Sequence, residues 1–168
     1  MRHIFRILIG STLVACFLFF AGCKSVERTQ KKEFLKRDVT LFLDQWHQLA
    51  AKADYAYFDR MAADGIFIGT DKTENWTRDE FKKWCKKSFD AGKGWDFKAT
   101  KRNIYISGDA KFIWFDELLD TWMGTCQSSG VISNRKGKLE ILHYQLSVAV
   151  PNEVVKDVIK VIKTSEKK

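Results

Sequence analysis

The sequence predicts an α+β fold, and three observations carry that reading. Apolar residues recur at three-and-four spacing through much of the first half, strand-like runs separated by short turn signals fill most of the second, and a last periodic segment follows Pro151. Helices covering one side of consecutive antiparallel strands make two layers around one core. A chain of 168 residues is long enough to bury such a core without metal or disulfide staples.

The first 22 residues are set apart as a leader. "MRHIFRILIGSTLVACFLFFAGC" has a basic start at Arg2 and Arg6, an apolar run from Ile7 to Ala21 and small residues before Cys23. That ending resembles a bacterial lipobox, with Phe20 where leucine is commonest. Cys23 is then the lipidated first residue of a protein held at a membrane of the bacterial envelope and facing the periplasm or exterior; a plain cleaved signal and an uncleaved anchor are the alternatives. The leader holds two of the 29 basic residues and none of the 21 acidic ones, so its removal lowers the formal charge from +8 to +6. The remaining lysines are spread over polar helix sides, which describes a solvated surface and argues against a nucleic-acid partner.

Residues 23–32 are polar and charged, as a tether would be. From Phe34 the pattern changes. Leu35, Val39, Phe42, Trp46, Leu49, Ala50 and Ala53 predict an amphipathic helix over about 32–53, within a domain placed at 33–164, before a short tail at 165–168. A short helical piece, "YAYFDRMA", leads into "GIFIGT", a buried strand. "TRDE" at Thr77–Glu80 is a capping box, after which Phe81, Trp84, Cys85, Ser88 and Phe89 form one stripe until Gly92 and Gly94 stop the helix.

Strand-like runs follow in "WDFKATKRNIYIS", "AKFIWFDELLDTWMG" and the region from Cys126 to Val150, the last broken into a hairpin at Asn134–Lys138. Pro151 closes the sheet, and Val154, Val155, Val158, Ile159 and Ile162 then mark a helical face; so many β-branched residues would also suit a strand, but Pro151 and Asn152 favour a helix start. In "KFIWFDELLDTW" one strand face carries Phe112, Trp114, Asp116, Leu118, Asp120 and Trp122. The other carries Ile113, Phe115, Glu117, Leu119 and Thr121, a single acid among mostly apolar neighbours. His143, Gln145 and Ser147 share a strand face with Ile141. Outside the leader and Cys23 the cysteines are Cys85 and Cys126, the histidines His47 and His143, and no Cys-x-x-Cys occurs, so neither a metal nor an organic cofactor is expected.

"FIGTDKTENW", "GDAKFIWFDELL", "CQSSGVI" and "LEILHYQLSVAVPNE", in that order, resemble the SnoaL-like domains of the nuclear transport factor 2-like superfamily over about residues 34–162. The chain departs from that pattern at Gln127, where arginine is common, and at Leu139, where tryptophan is common. The resemblance implies a cone: a strongly bent antiparallel sheet, N-terminal helices closing a pocket against its concave face, and often a homodimer; the periodic segment after Pro151 is then an added C-terminal helix. It also implies that Glu117 and the His143 face look inward.

On that basis Glu117 and His143 are the candidate catalytic residues, with Asp71, Glu74, Trp76, Phe115 and Gln145 as candidate ligand contacts. A buried glutamate beside histidine either moves a proton or is a satisfied hydrogen-bonded pair. Three functions stay open: a pocket for a small apolar or weakly polar molecule, a cofactor-independent acid/base enzyme (isomerase, dehydratase or hydrolase), and an assembly module that dimerises through the outer sheet face with Trp114 and Trp122.

Overall fold

The structure, a computed structural model, describes residues 4–135 and 137–166, with side chains from residue 27 onward. The leader's basic start at Arg2, the side chain of the lipidation candidate Cys23, Lys136 of the hairpin turn and the last two residues of the tail lie outside what is described. The chain divides into two compact units, Met1–Thr40 and Leu41–Lys168. Helix α1, Ile4–Ala51, includes the stretch read as a tether, which is therefore helical.

The second unit holds the remaining elements: α2 (Ala56–Asp59), β1 (Met61–Ile68), β2 (Asn75–Thr77), α3 (Arg78–Asp90), β3 (Lys98–Ile106), β4 (Phe112–Thr121), β5 (Gly124–Arg135), β6 (Lys138–Val148) and α4 (Val155–Ser165). Six strands form one curled, unclosed sheet in the order β2-β1-β6-β5-β4-β3. The run β3 to β6 is the expected antiparallel meander. β1 departs from an all-antiparallel sheet by lying parallel to β6, to which it is joined by a long crossover through β2, α3 and the meander and not by a hairpin. β2, three residues long, was too short to leave a periodic signal.

Local chemistry explains the elements that position the site. Thr77 caps α3 in a reciprocal box: its hydroxyl accepts from the Glu80 amide at 3.4 Å, and the Glu80 carboxylate accepts from the Thr77 amide at 2.8 Å. α3 then buries Phe81, Cys85 and Phe89, one turn apart. Trp84, expected on that stripe, is exposed and leans on Trp76 at 4.9 Å, because its position lies at the stripe's edge.

Aromatic rings fill the space between these helices and the sheet. Trp46 stacks on Tyr57 at 4.6 Å, meets Tyr144 edge-on at 4.8 Å, and donates its indole N–H to the Tyr57 carbonyl at 3.1 Å. Phe67 stacks on Phe81 at 3.8 Å. Gly130 is required in β5, for a Cβ there would lie 2.7 Å from the Phe115 ring and 2.6 Å from the His143 carbonyl oxygen.

Candidate functional site

β4 alternates cleanly: Ile113, Phe115, Glu117 and Leu119 are buried, whereas Phe112, Trp114 and Asp120 are exposed. Glu117 is 1 % exposed, and an isolated carboxylate there would be untenable. Sheet register supplies two of its partners. Arg102 on β3 and Ser128 on β5 lie directly opposite Glu117 on either side, so all three side chains project from one row of the sheet. A bulge at Thr100 sets the phase of β3, putting Ala99 and Arg102 on the same side.

The third partner comes from α1. His47 follows Leu43 by four residues and precedes Ala50 by three, so it stands on the buried stripe and reaches down to the sheet. His47 Nε2 is 3.1 Å from Glu117 Oε2, Ser128 Oγ donates to the same oxygen at 3.1 Å, and Arg102 Nε donates to Oε1 at 2.5 Å. Arg102 Nη1 donates in turn to Asp44 Oδ1 at 2.8 Å. The linked side chains run from Asp44 through Arg102 and Glu117 to His47, and α1 closes them into a ring because Asp44 and His47 are one helical turn apart.

Burial, the largest single influence, pushes the Glu117 pKa upward; the hydrogen bond and charge of His47, with the charge and hydrogen bond of Arg102, outweigh it and hold the carboxyl below its ordinary 4.5. The group is ionised at neutral pH. An ionised carboxylate only accepts, so His47 Nε2 carries the proton between them and Nδ1 is the nitrogen left for another partner. Burial, above all, raises the Tyr144 hydroxyl far beyond its usual range, so it stays protonated above the same row.

Where α1 meets the start of β3, a cleft of about 320 Å³ is lined by Asp44, His47, Gln48, Asp96, Phe97, Lys98 and Ala99. His47 and Asp44 thus belong both to the ring and to the cleft wall. Chemically, the arrangement presents an imidazole oriented from behind by a buried anion, beside one apolar ring and flanked by charges of both signs.

The residues expected from the sequence are distributed differently. Glu117 faces inward, as the resemblance implies, but His143 is not its partner. Val131 and Ile132 of β5 pair with His143 and Ile141 of β6, so Leu142 is an extra residue that bulges β6. Alternation therefore restarts: Ile141, Tyr144 and Leu146 are buried, while His143 turns to the other face and Gln145 and Ser147 are exposed. Asp71 and Glu74 brace the β1–β2 loop. Asp71 accepts from the Thr73 amide at 2.8 Å and its hydroxyl at 2.6 Å, bonds that lower its pKa, and Glu74 accepts from the Asp71 amide at 3.2 Å. Trp76 stacks on Phe81, and Phe115 is core. None of these lines the cleft at His47.

Three members of the ring, Asp44, His47 and Arg102, were missed from the sequence, and the last two left a signal. His47 interrupts an apolar helical stripe with an imidazole, and Arg102 shares a strand face with Ile104 and Ile106. A charged or titratable residue on an otherwise apolar face calls for a buried counter-charge.

Residues 39–151 match the SnoaL-like domain family. Among curated proteins none matches the sequence. Solved structures with the same fold include a proposed scytalone dehydratase from Novosphingobium aromaticivorans DSM 12444, at TM-score 0.62 and 10 % identity over 73 % of this chain and 89 % of that one. An NTF2-like protein of unknown function from Pseudomonas putida KT2440 superposes at TM-score 0.59 and 10 % identity, over 73 % of this chain and 92 % of its own. The association domain of C. elegans CaMKII follows at TM-score 0.56 and 14 % identity, over 69 % and 97 %. At these identities the likeness establishes the fold alone.

Proposed function

The chain belongs to the SnoaL-like domain family, and from that premise we propose that its second unit binds a small, weakly polar organic molecule in the cleft between α1 and the start of β3. The observation that carries this reading is the double position of His47, bonded through Nε2 to a buried carboxylate and lining the cleft. Its Nδ1 supplies one directional hydrogen bond, Phe97 an apolar contact, and Lys98 a cation for a ligand with acidic character. Lipidation of Cys23 carries the domain to an envelope membrane, a reading supported by the leader sequence and by Ala21, Gly22 and Cys23 at its end.

Thermal unfolding of the full chain in the presence of benzoate, 4-methylphenol and cyclohexanol tests the cleft. Probes that raise Tm in the wild type are expected to lose that effect in His47→Phe, which removes the hydrogen-bonding nitrogens and keeps a ring. A response that persists undiminished in His47→Phe would place binding elsewhere and overturn the assignment. The mass of the mature N-terminus decides the anchor, an acylated Cys23 being the expected result and an unmodified leader the refuting one.

Two further readings each have an observation behind them. An ionised Glu117 behind His47 is the arrangement of a general base and its orienting group, and one fold relative is a proposed dehydratase; turnover would then fall steeply in Glu117→Gln. On the outer sheet face, Tyr105 and Trp114 stack at 5.8 Å while remaining 44 % and 47 % exposed, and one fold relative is an association domain, which favours a homodimer through that face. Sedimentation over a range of concentrations would return a dimer, and a monomer throughout would reject it.

A further inference from the structure

Helix α4 has a surface that the fold does not use. None of its residues is buried, and Val161 and Ile162 are 70 % and 49 % exposed. At 100° per residue, Val154, Val155, Val158, Ile159, Val161 and Ile162 fall within an arc of about 160°, and Lys156, Lys160 and Lys163 within about 60° on the opposite side. Its last turn is joined to the β1–β2 loop by the ion pair of Lys72 with Glu166, 2.9 Å apart and exposed at both ends. Such a pair contributes little.

The composition makes this a physical problem. An isolated helix of fewer than about 12 residues is marginal in water, and β-branched residues lower its stability further. α4 has 11 residues, among them Val155, Val158, Ile159, Val161 and Ile162. A helix of this kind persists by covering its apolar arc. The cover must also suit a lysine face whose neighbouring acid, Asp157, is engaged with Lys160 at 2.9 Å.

We propose that α4 lies flat on an anionic phospholipid bilayer, its valine and isoleucine arc sunk into the boundary between headgroups and acyl chains. The charge pattern selects this occupant. Lys156 and Lys163 stand toward the edge of the apolar arc, where lysine stems run along apolar surface and their ammonium groups reach the phosphates. Attraction to an anionic leaflet multiplies affinity about fivefold per lysine, or on the order of twentyfold for Lys156 and Lys163 together, Lys160 being engaged with Asp157. The inference is independent of what the cleft binds, and it concerns a contact additional to any lipid on Cys23.

Hydrogen–deuterium exchange of the full chain, followed by mass spectrometry, tests it with vesicles of phosphatidylcholine alone and of phosphatidylcholine with phosphatidylglycerol at 7:3. Amides of α4 are expected to exchange about tenfold more slowly or slower still with the anionic vesicles than with the neutral ones. A contribution from the leader would be common to both vesicle types and would cancel in the comparison. Replacing Lys156, Lys160 and Lys163 together by Glu is expected to abolish the slowing while leaving exchange in β4 and β5 unchanged. Equal exchange with the two vesicle types would overturn the proposal. So would slowing without vesicles that grows with protein concentration, which would assign the helix to a second copy of the chain.

Discussion

Replacing Glu117 by Gln probes the ring of side chains most directly. The amide keeps the size of the carboxylate and removes its charge, leaving Arg102 buried opposite a neutral group and depriving His47 of its anion. The Glu117 side chain is fully buried and Arg102 is 8 % exposed, so solvent does little to replace what is lost. Breaking a buried pair by removing one partner costs about 3–5 kcal/mol. The Gln carbonyl still accepts one hydrogen bond, which puts the expected loss near the lower end, about 3 kcal/mol, or roughly 10 °C in Tm for a domain of this size.

Its pH dependence makes the prediction specific. The folded pKa of Glu117 is depressed, so its stabilisation is fully present above the unfolded value and is lost as pH falls through the folded one. Urea unfolding of wild type and Glu117→Gln should differ by about 3 kcal/mol at pH 7, the gap closing below about pH 4. A difference under about 1 kcal/mol at pH 7, or one that does not shrink in acid, would refute the claim that an ionised Glu117 holds the ring together.

Other consequences follow from the same structure. His143→Ala should leave any probe-induced Tm shift intact, because the bulge at Leu142 turns His143 away from Glu117; loss of the shift in that variant would restore His143 to the site. Gly94→Ala should be severely destabilising, since a Cβ there would lie 1.8 Å from the Ala50 carbonyl oxygen and neither backbone can yield cheaply; wild-type thermal stability would contradict it. Phe81→Ala should cost about 3–5 kcal/mol in urea unfolding, because Phe81 is 2 % exposed and stacks on Phe67, and a cost under about 1 kcal/mol would show a core that collapses around the gap. Cys85 and Cys126 are free and buried, and burial pushes the Cys85 thiol up to about 12. Iodoacetamide at pH 8 should spare both in the folded protein, as peptide mapping would report, and rapid labelling of either would place it at the surface.

The order of elements and the alternation of β4 were legible in the sequence because each depends on neighbours a few residues away. A capping box is closed by residues three apart, a helical stripe by residues three and four apart, and strand alternation by the geometry of successive peptides. Alternation in "KFIWFDELLDTW" set Glu117 on one face with Ile113, Phe115 and Leu119, and the family resemblance implied that this face looks inward. The partners of Glu117 could not be placed in that way. Leu142 bulges because β6 must satisfy β5 and β1 together, a condition set by strands distant in sequence, and that one extra residue carries His143 and Gln145 out of phase. Arg102 and Ser128 meet Glu117 through register, and His47 through the packing of α1 on the sheet. By itself the sequence determined that a buried acid needs a counter-charge; only tertiary structure decided that His47, Arg102 and Ser128 answer it, because pairing and packing act between segments that local patterning does not relate.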